Sequence, residues 1–341
     1  MGLHHVGHVV GDMEGAARLY RRLGFTVAPP AYPVLPGVEQ PFGVANAHVY
    51  LGDGFVELVA VLDGVPGEAR PIPLRVPEDR LPALVAAIRA TSAAIAGFLE
   101  RFEGLHIVIA DTSDLDAVAA RLTADGVGHG GVHAIQRPVE TATGTAMEPA
   151  RYLEISGPLP EGRIGFAENT PDSAALPVEH ANGAIGLVEC VLCVPDEETD
   201  QEADQEGDRE ADQAASQGGG QGGAQGADLE GDQEGDQGAD PGGDREGGQE
   251  ADQEVGSVRR RYDGWAGVRI VPASALPGLL PGERPPALPA FVAYAVSVRD
   301  LAATERFLSG NGVPIGKTGS GEIFVPAEAA LGTAIIFRQQ G

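Results

Sequence analysis

Three histidines open the chain: His4, His5 and His8, within GLHHVGHVV. In a strand, successive side chains point to opposite faces. His4 and His8 therefore point one way and His5 the other, and neighbours on one strand do not jointly clasp an ion. Partners for His5 must come from elsewhere. A second strand-like start, HIVIADTSD, carries His106, and two further apolar stretches carry carboxylates: Glu57 in FVELVAV and Glu168 in RIGFAEN. Two imidazoles and two carboxylates suit Zn, Ni, Fe, Mn or Co. Glu154 and Glu161, just upstream of Glu168, compete with it for the last place. His48 and Tyr50 alternate along a strand with Val49 in AHVYLGDG and face either substrate or solvent. Arg151 and Tyr152 are similar candidates.

These residues recur because the elements beneath them recur. Residues 5–27 read HVGHVVGDMEGAARLYRRLGFTV, residues 106–127 HIVIADTSDLDAVAARLTADGV, and residues 293–313 AYAVSVRDLAATERFLSGNGV. Each is an apolar strand, then an Asp suited to cap a helix (Asp12, Asp114, Asp300). An amphipathic helix follows, then a Gly suited to the left-handed position after it (Gly24, Gly126, Gly312). A fourth start, GLVECVLCVPD at 186–196, runs into an acidic tract where its helix should be, and the strand pattern resumes at WAGVRIV. The chain thus divides into four units beginning β–α, in two pairs, 1–178 and 179–341. Seven residues before Asp300 stands Ala293, and seven before Asp196 stands Glu189. The closing strands GVRIV and GTAIIF carry no carboxylate, so the later pair has no four-ligand set and is expected to support the fold, a homodimer or the substrate cup.

Composition narrows the function classes. The formal net charge is -27, but Asp196–Glu254 holds 21 of the 50 acidic residues against two arginines. That Gly/Asp/Gln/Glu tract, residues 197–255 in particular, is expected to be a disordered linker, since it cannot bury enough surface to offset its chain entropy. The remainder offers no basic patch for nucleic acid or an anionic membrane. No run of 18 apolar residues marks a membrane span, and no signal peptide is read at the start, so a soluble cytoplasmic protein is expected. Cys190 and Cys193 read as buried strand residues rather than a metal or redox pair. GVGHGG at 126–131 follows a helix end, and GVPIGKT at 312–318 lacks its first Gly, so neither meets the structural test of a nucleotide loop. His129 and His133 in the first of these read as surface residues.

LHHVGHVVGDMEGAARLYRRLGF, VANAHVYLGDGFVELVAV and the second His-bearing start together resemble the vicinal oxygen chelate superfamily, and within it the glyoxalase-like domain proteins. The resemblance covers about residues 3–170 and, through HANGA and LPAFVAYAVSVRDLAAT, the tail. It implies an α+β fold in which βαβββ units pair into open, cup-shaped mixed sheets. It also implies a divalent metal (Zn, Ni, Mn or Fe) held by His5, Glu57, His106 and Glu168. The function implied is lyase or isomerase chemistry on a small oxygenated metabolite, the metal stabilising an enediolate-like intermediate while Glu57 or Glu168 shuttles a proton. Two alternatives stand beside it: a metal-free binding or resistance protein of the same fold, and an extradiol dioxygenase using two His and one carboxylate.

Overall fold

The computed structural model describes residues 2–35, 43–52, 54–62, 69–74, 77–141, 144–157, 159–169, 178–196, 258, 261–262 and 264–341. The acidic tract 197–255, expected to be a disordered linker, lies outside them. Met1–Pro195 with Tyr262–Gly341 forms one compact unit, and Asp196–Arg261 is a second. The first carries everything below.

Unit one is β1 (Leu3–Val9), α1 (Met13–Arg22), β2 (Ala31–Val34), β3 (Val44–Leu51) and β4 (Gly54–Val61). β1 runs parallel to β4, which is antiparallel to β3, and β3 is antiparallel to β2. Unit two repeats this with β6 (Gly104–Asp111), α3 (Leu115–Ala124), β7 (His133–Thr141), β8 (Gly144–Glu154) and β9 (Arg163–Asn169). Between them come β5 (Arg70–Pro73) and the long α2 (Leu81–Arg101). Unit three shows β10 (Ala184–Val194) and β11 (Val268–Pro272), followed by the short α4 (Leu276–Leu279). Unit four is β12 (Ala290–Val298), α5 (Leu301–Gly310), β13 (Gly316–Lys317), β14 (Ile323–Val325) and β15 (Ala334–Gln339). First strands pair antiparallel, β1 with β6 and β10 with β12. Among the described residues one β-bridge, Leu105 to Phe291, joins the sheets of the two pairs.

The helix signals are used as the sequence suggests. Asp12, Asp114 and Asp300 each accept a hydrogen bond from the first turn, at the amides of Glu14, Ala117 and Ala303. That satisfies a donor with no partner inside the helix. Gly24, Gly126 and Gly312 follow the helices at φ 89°, 72° and 64°, a conformation that a β-carbon disfavours. α1 buries Met13, Ala16, Ala17 and Tyr20, and α3 buries Leu115, Val118 and Leu122. In unit three, Cys190 to Val194 lie parallel to Val268 to Pro272, the relation β1 has to β4, so β11 is that unit's closing strand. Cys190 and Cys193 are free and buried, and burial pushes the Cys190 thiol pKa up.

α2 departs from the sequence reading. Its 21 residues are long and apolar enough, by length and composition, to cross a membrane. Arg89, Thr91 and Ser92 interrupt the apolar run, which is why a strict 18-residue criterion passes over it. Here α2 lies on the sheet. Ile95 is buried, and with Phe98 and Leu99 it packs on Val9, Val59, Ile107, Ile109 and Ala167. α1 occupies the other face, where Tyr20 meets His8. The α2 side is the inner face of the sheet.

Units one and four share a polar seam. Tyr294 and Tyr20 hydroxyls lie 3.0 Å apart, Tyr20 is 2.8 Å from His8 Nδ1, and His8 Nε2 is 2.7 Å from the Leu331 carbonyl. A carbonyl only accepts, so His8 carries its proton on Nε2 and accepts at Nδ1 from Tyr20, which in turn accepts from Tyr294. All three side chains are buried.

Candidate functional site

The inner face of unit one is built by alternation. β1 contributes His5, Gly7 and Val9, β4 contributes Phe55, Glu57 and Val59, and β3 contributes Asn46, His48 and Tyr50. The hairpin Leu51–Gly54 folds β3 onto β4 so that His48 stands directly across from Glu57. Glu57 Oε1 accepts from Asn46 Nδ2 at 3.0 Å, and His48 Nε2 lies 3.8 Å from the same oxygen. Burial lowers the His48 pKa, against the pull of Glu57, so the imidazole is neutral near pH 7. Phe55 is the central platform: His5 stacks on it at 4.4 Å and 8°, and His48 meets it edge-on at 5.2 Å. His48 also stacks on Tyr50. The Val9, Val59 and α2 core bounds this polar floor at one end.

His4 does not follow strict alternation. The register against β6 shifts between Leu3 and His5, which is a bulge at His4. Bulges re-aim side chains, and this one brings His4 Nδ1 to 2.7 Å from His5 Nδ1 and its ring edge-on to Phe55. His8 keeps to the α1 side, as alternation requires.

Of the four residues expected to ligate a metal, the structure brings His5 and Glu57 onto one floor. It takes His106 and Glu168 elsewhere. Counting seven back from Asp114 reaches Ile107, and Ile107 and Ile109 are the residues paired with Gly7 and His5. His106 is the extra residue at the second register shift of that ladder. Its ring is slotted against Phe98 at 4.9 Å and Phe102 at 4.1 Å, and its Nε2 donates to the Phe102 carbonyl. Among the described residues its Nδ1 has no hydrogen-bond partner, and burial lowers the pKa to about 4.

Glu168 is displaced by parity. Ala167, not Glu168, joins the inner-face core, and one residue along a strand changes faces. Glu168 Oε2 accepts from the Leu115 amide at the start of α3 and from Arg151 Nη1, while Arg151 Nη2 donates to Asp116. The competing Glu154 is bound through both oxygens by Arg163 and meets the Tyr152 hydroxyl, while Glu161 accepts from Tyr262. His133 bonds within its own loop, to Gly130, and His129 bonds to the Gly131 amide and to the Thr123 hydroxyl at the end of α3. Among the described residues, no three His, Cys, Asp or Glu side chains gather closely enough to hold a metal ion. The donor set as arranged does not fit a four-ligand centre.

What this arrangement can do is proton chemistry: a carboxylate and a neutral imidazole, half-buried, opposite one another on the sheet beside an apolar wall. The pairing of His48 with Glu57 was readable from the short GDG turn between them, which folds each residue of one strand onto a definite residue of the other.

Comparison with known proteins agrees with the architecture. The sequence model of the glyoxalase-like domain family matches residues 3–206. No curated protein matches. Among solved structures, a hypothetical protein from Staphylococcus aureus is 8% identical with a TM-score of 0.48, over 99% of both chains. A mutant of 4-hydroxymandelate synthase from Streptomyces coelicolor is 13% identical with a TM-score of 0.45, over 100% of this chain and 94% of that one. Methylmalonyl-CoA epimerase from Mycobacterium tuberculosis is 22% identical with a TM-score of 0.28, over 50% of this chain and 89% of its own. These are likenesses of fold alone. With its βαβββ units, mixed sheet and matching family model, the chain belongs to the glyoxalase-like domain family of the vicinal oxygen chelate superfamily.

Proposed function

We propose that this chain is an enzyme that moves a proton at a carbon next to a carbonyl, on a small oxygenated molecule held over the unit-one floor. The observation that carries this is the Glu57–His48 pair, directly opposed across β4 and β3 with Asn46 fixing one carboxylate oxygen. Glu57 takes the proton from carbon. His48, neutral through burial, donates a hydrogen bond to the carbonyl oxygen as charge develops there, and the resulting enediolate is reprotonated at carbon by the Glu57 carboxylic acid, which returns Glu57 to its carboxylate. The apolar wall of Val59 and Ile107 excludes water from the carbon side. The Phe55 platform, flanked by His5 and Tyr50, offers a flat surface for the substrate.

The test is hydrogen exchange at carbon. Hydroxyacetone and dihydroxyacetone are incubated in D2O with the protein, and loss of the α-proton signal is followed by NMR. Exchange above the buffer rate that falls about 100-fold in Glu57→Gln supports the proposal. Saturation-transfer signals without exchange would mean a binding protein of the same fold, the platform serving recognition only. The divalent metal implied by the resemblance is a separate arm. Dialysed protein is reloaded with Zn, Ni, Mn or Fe(II) and its metal content measured by mass spectrometry. One bound equivalent, lost in both His5→Ala and His106→Ala, would restore the four-ligand reading.

A further inference from the structure

We infer that the second pair of units carries a ligand site of its own, taking a small carboxylate with Arg269 as its anchor. The register of the parallel ladders gives the correspondence. In unit one Gly7 faces Glu57, and His5 stands seven residues before Asp12. In unit three Val191 faces Arg269, and Glu189 stands seven residues before Asp196. Arg269 therefore takes the place of Glu57, and Glu189 that of His5. A guanidinium where the first pair has a carboxylate inverts the charge of ligand that the floor accepts.

The surroundings fit such a ligand. Val271, two residues along β11, packs in one core with Val191, Ala293 and Leu276, so Arg269 stands on the inner side of the sheet. Glu189 is committed, because Arg338 binds it at 2.5 Å and binds Glu322 as well. Arg269 has no ion pair among the described residues. It lines an open cleft of about 440 Å³ together with Val271, Ala275, Leu279 and Ser320. Gly319 lies close against α4 beside this cleft: a β-carbon on it would stand 2.9 Å from the Gly278 carbonyl. A planar guanidinium binds carboxylate through two parallel hydrogen bonds, and the apolar wall accepts a short alkyl tail. The volume lies in the range of small-molecule sites.

The probes are butyrate and inorganic phosphate, titrated against the full chain and followed by saturation-transfer NMR. Butyrate is expected to bind with Kd on the order of 1 mM, as suits a ligand of that size. Arg269→Gln should abolish this binding, while the exposed Arg284→Gln and the unit-one variant Glu57→Gln should leave it unchanged. Circular dichroism confirms that each variant is folded. Butyrate binding retained in Arg269→Gln, or absent from the native chain at about 20 mM, overturns the site. Phosphate binding as tightly as butyrate overturns the carboxylate assignment, since a site reading charge alone would not distinguish them.

Discussion

Tyr20→Phe tests whether the seam between units one and four is held as the hydrogen bonds imply. Tyr20 stands within the chain Tyr294–Tyr20–His8–Leu331, and its three side chains, Tyr294, Tyr20 and His8, are buried. Removing its hydroxyl strands two groups at once, the His8 Nδ1 acceptor and the Tyr294 donor. A buried polar group left without a partner costs about 1–3 kcal/mol, so the expected loss is about 3 kcal/mol. Tyr294→Phe removes only the terminal donor and leaves Tyr20 bonded to His8, so it should cost about 1 kcal/mol. The double variant should be no less stable than Tyr20→Phe, because the stranded Tyr294 hydroxyl is gone. Urea unfolding followed by the fluorescence of Trp265, the single tryptophan, gives all three values. A Tyr294→Phe loss equal to or above that of Tyr20→Phe, or a double variant equal to the sum of the singles, would refute the directional chain.

Burial lowers the pKa of both His8 and His106 to about 4. The unfolded chain takes up these protons near pH 6.5, so their contribution is complete above that pH and is lost as the pH falls toward 4. At pH 5 the loss is about 2 kcal/mol per histidine, and melts followed by circular dichroism should drop by several degrees between pH 7 and pH 5; an unchanged melting temperature contradicts this. Gly162 sits at φ 129°, and a β-carbon there would stand 2.0 Å from the His106 carbonyl. Gly162→Ala should therefore cost about 3 kcal/mol or more, whereas equal stability would show that the approach of β9 to β6 is not as described. Glu168→Gln should lose about 1 kcal/mol of stability through the weakened start of α3 and keep its full hydrogen-exchange rate. Abolished exchange in that variant would return Glu168 to the reacting centre.

The scaffold was legible because its signals are local. Asp12, Asp114 and Asp300 cap helices, and Gly24, Gly126 and Gly312 end them, through bonds spanning a few residues. The floor of unit one was partly legible for the same reason: alternation places Glu57 with Val59, and the short hairpin places His48 across from it. What escaped depends on one-residue shifts that no local pattern records. A bulge turns His4 toward His5, a register shift drops His106 out of the ladder, and strand parity puts Glu168 under α3. Sequence spacing already carried a warning, since His106 lies eight residues before its capping Asp114 where His5 lies seven before Asp12. α2 lies across the inner face through contacts made by side chains from four strands, β1, β4, β6 and β9, a tertiary fact that its own composition does not contain.

The proposed chemistry belongs to Glu57 and His48 on the unit-one floor, not to a centre shared with His106 and Glu168. Hydrogen exchange at the α-carbon of hydroxyacetone, measured side by side for the native chain, Glu57→Gln and Glu168→Gln, separates the two. Exchange is expected from the native chain and Glu168→Gln, with about a 100-fold loss in Glu57→Gln. Equal loss in both variants, or native-level exchange in Glu57→Gln, would contradict this assignment.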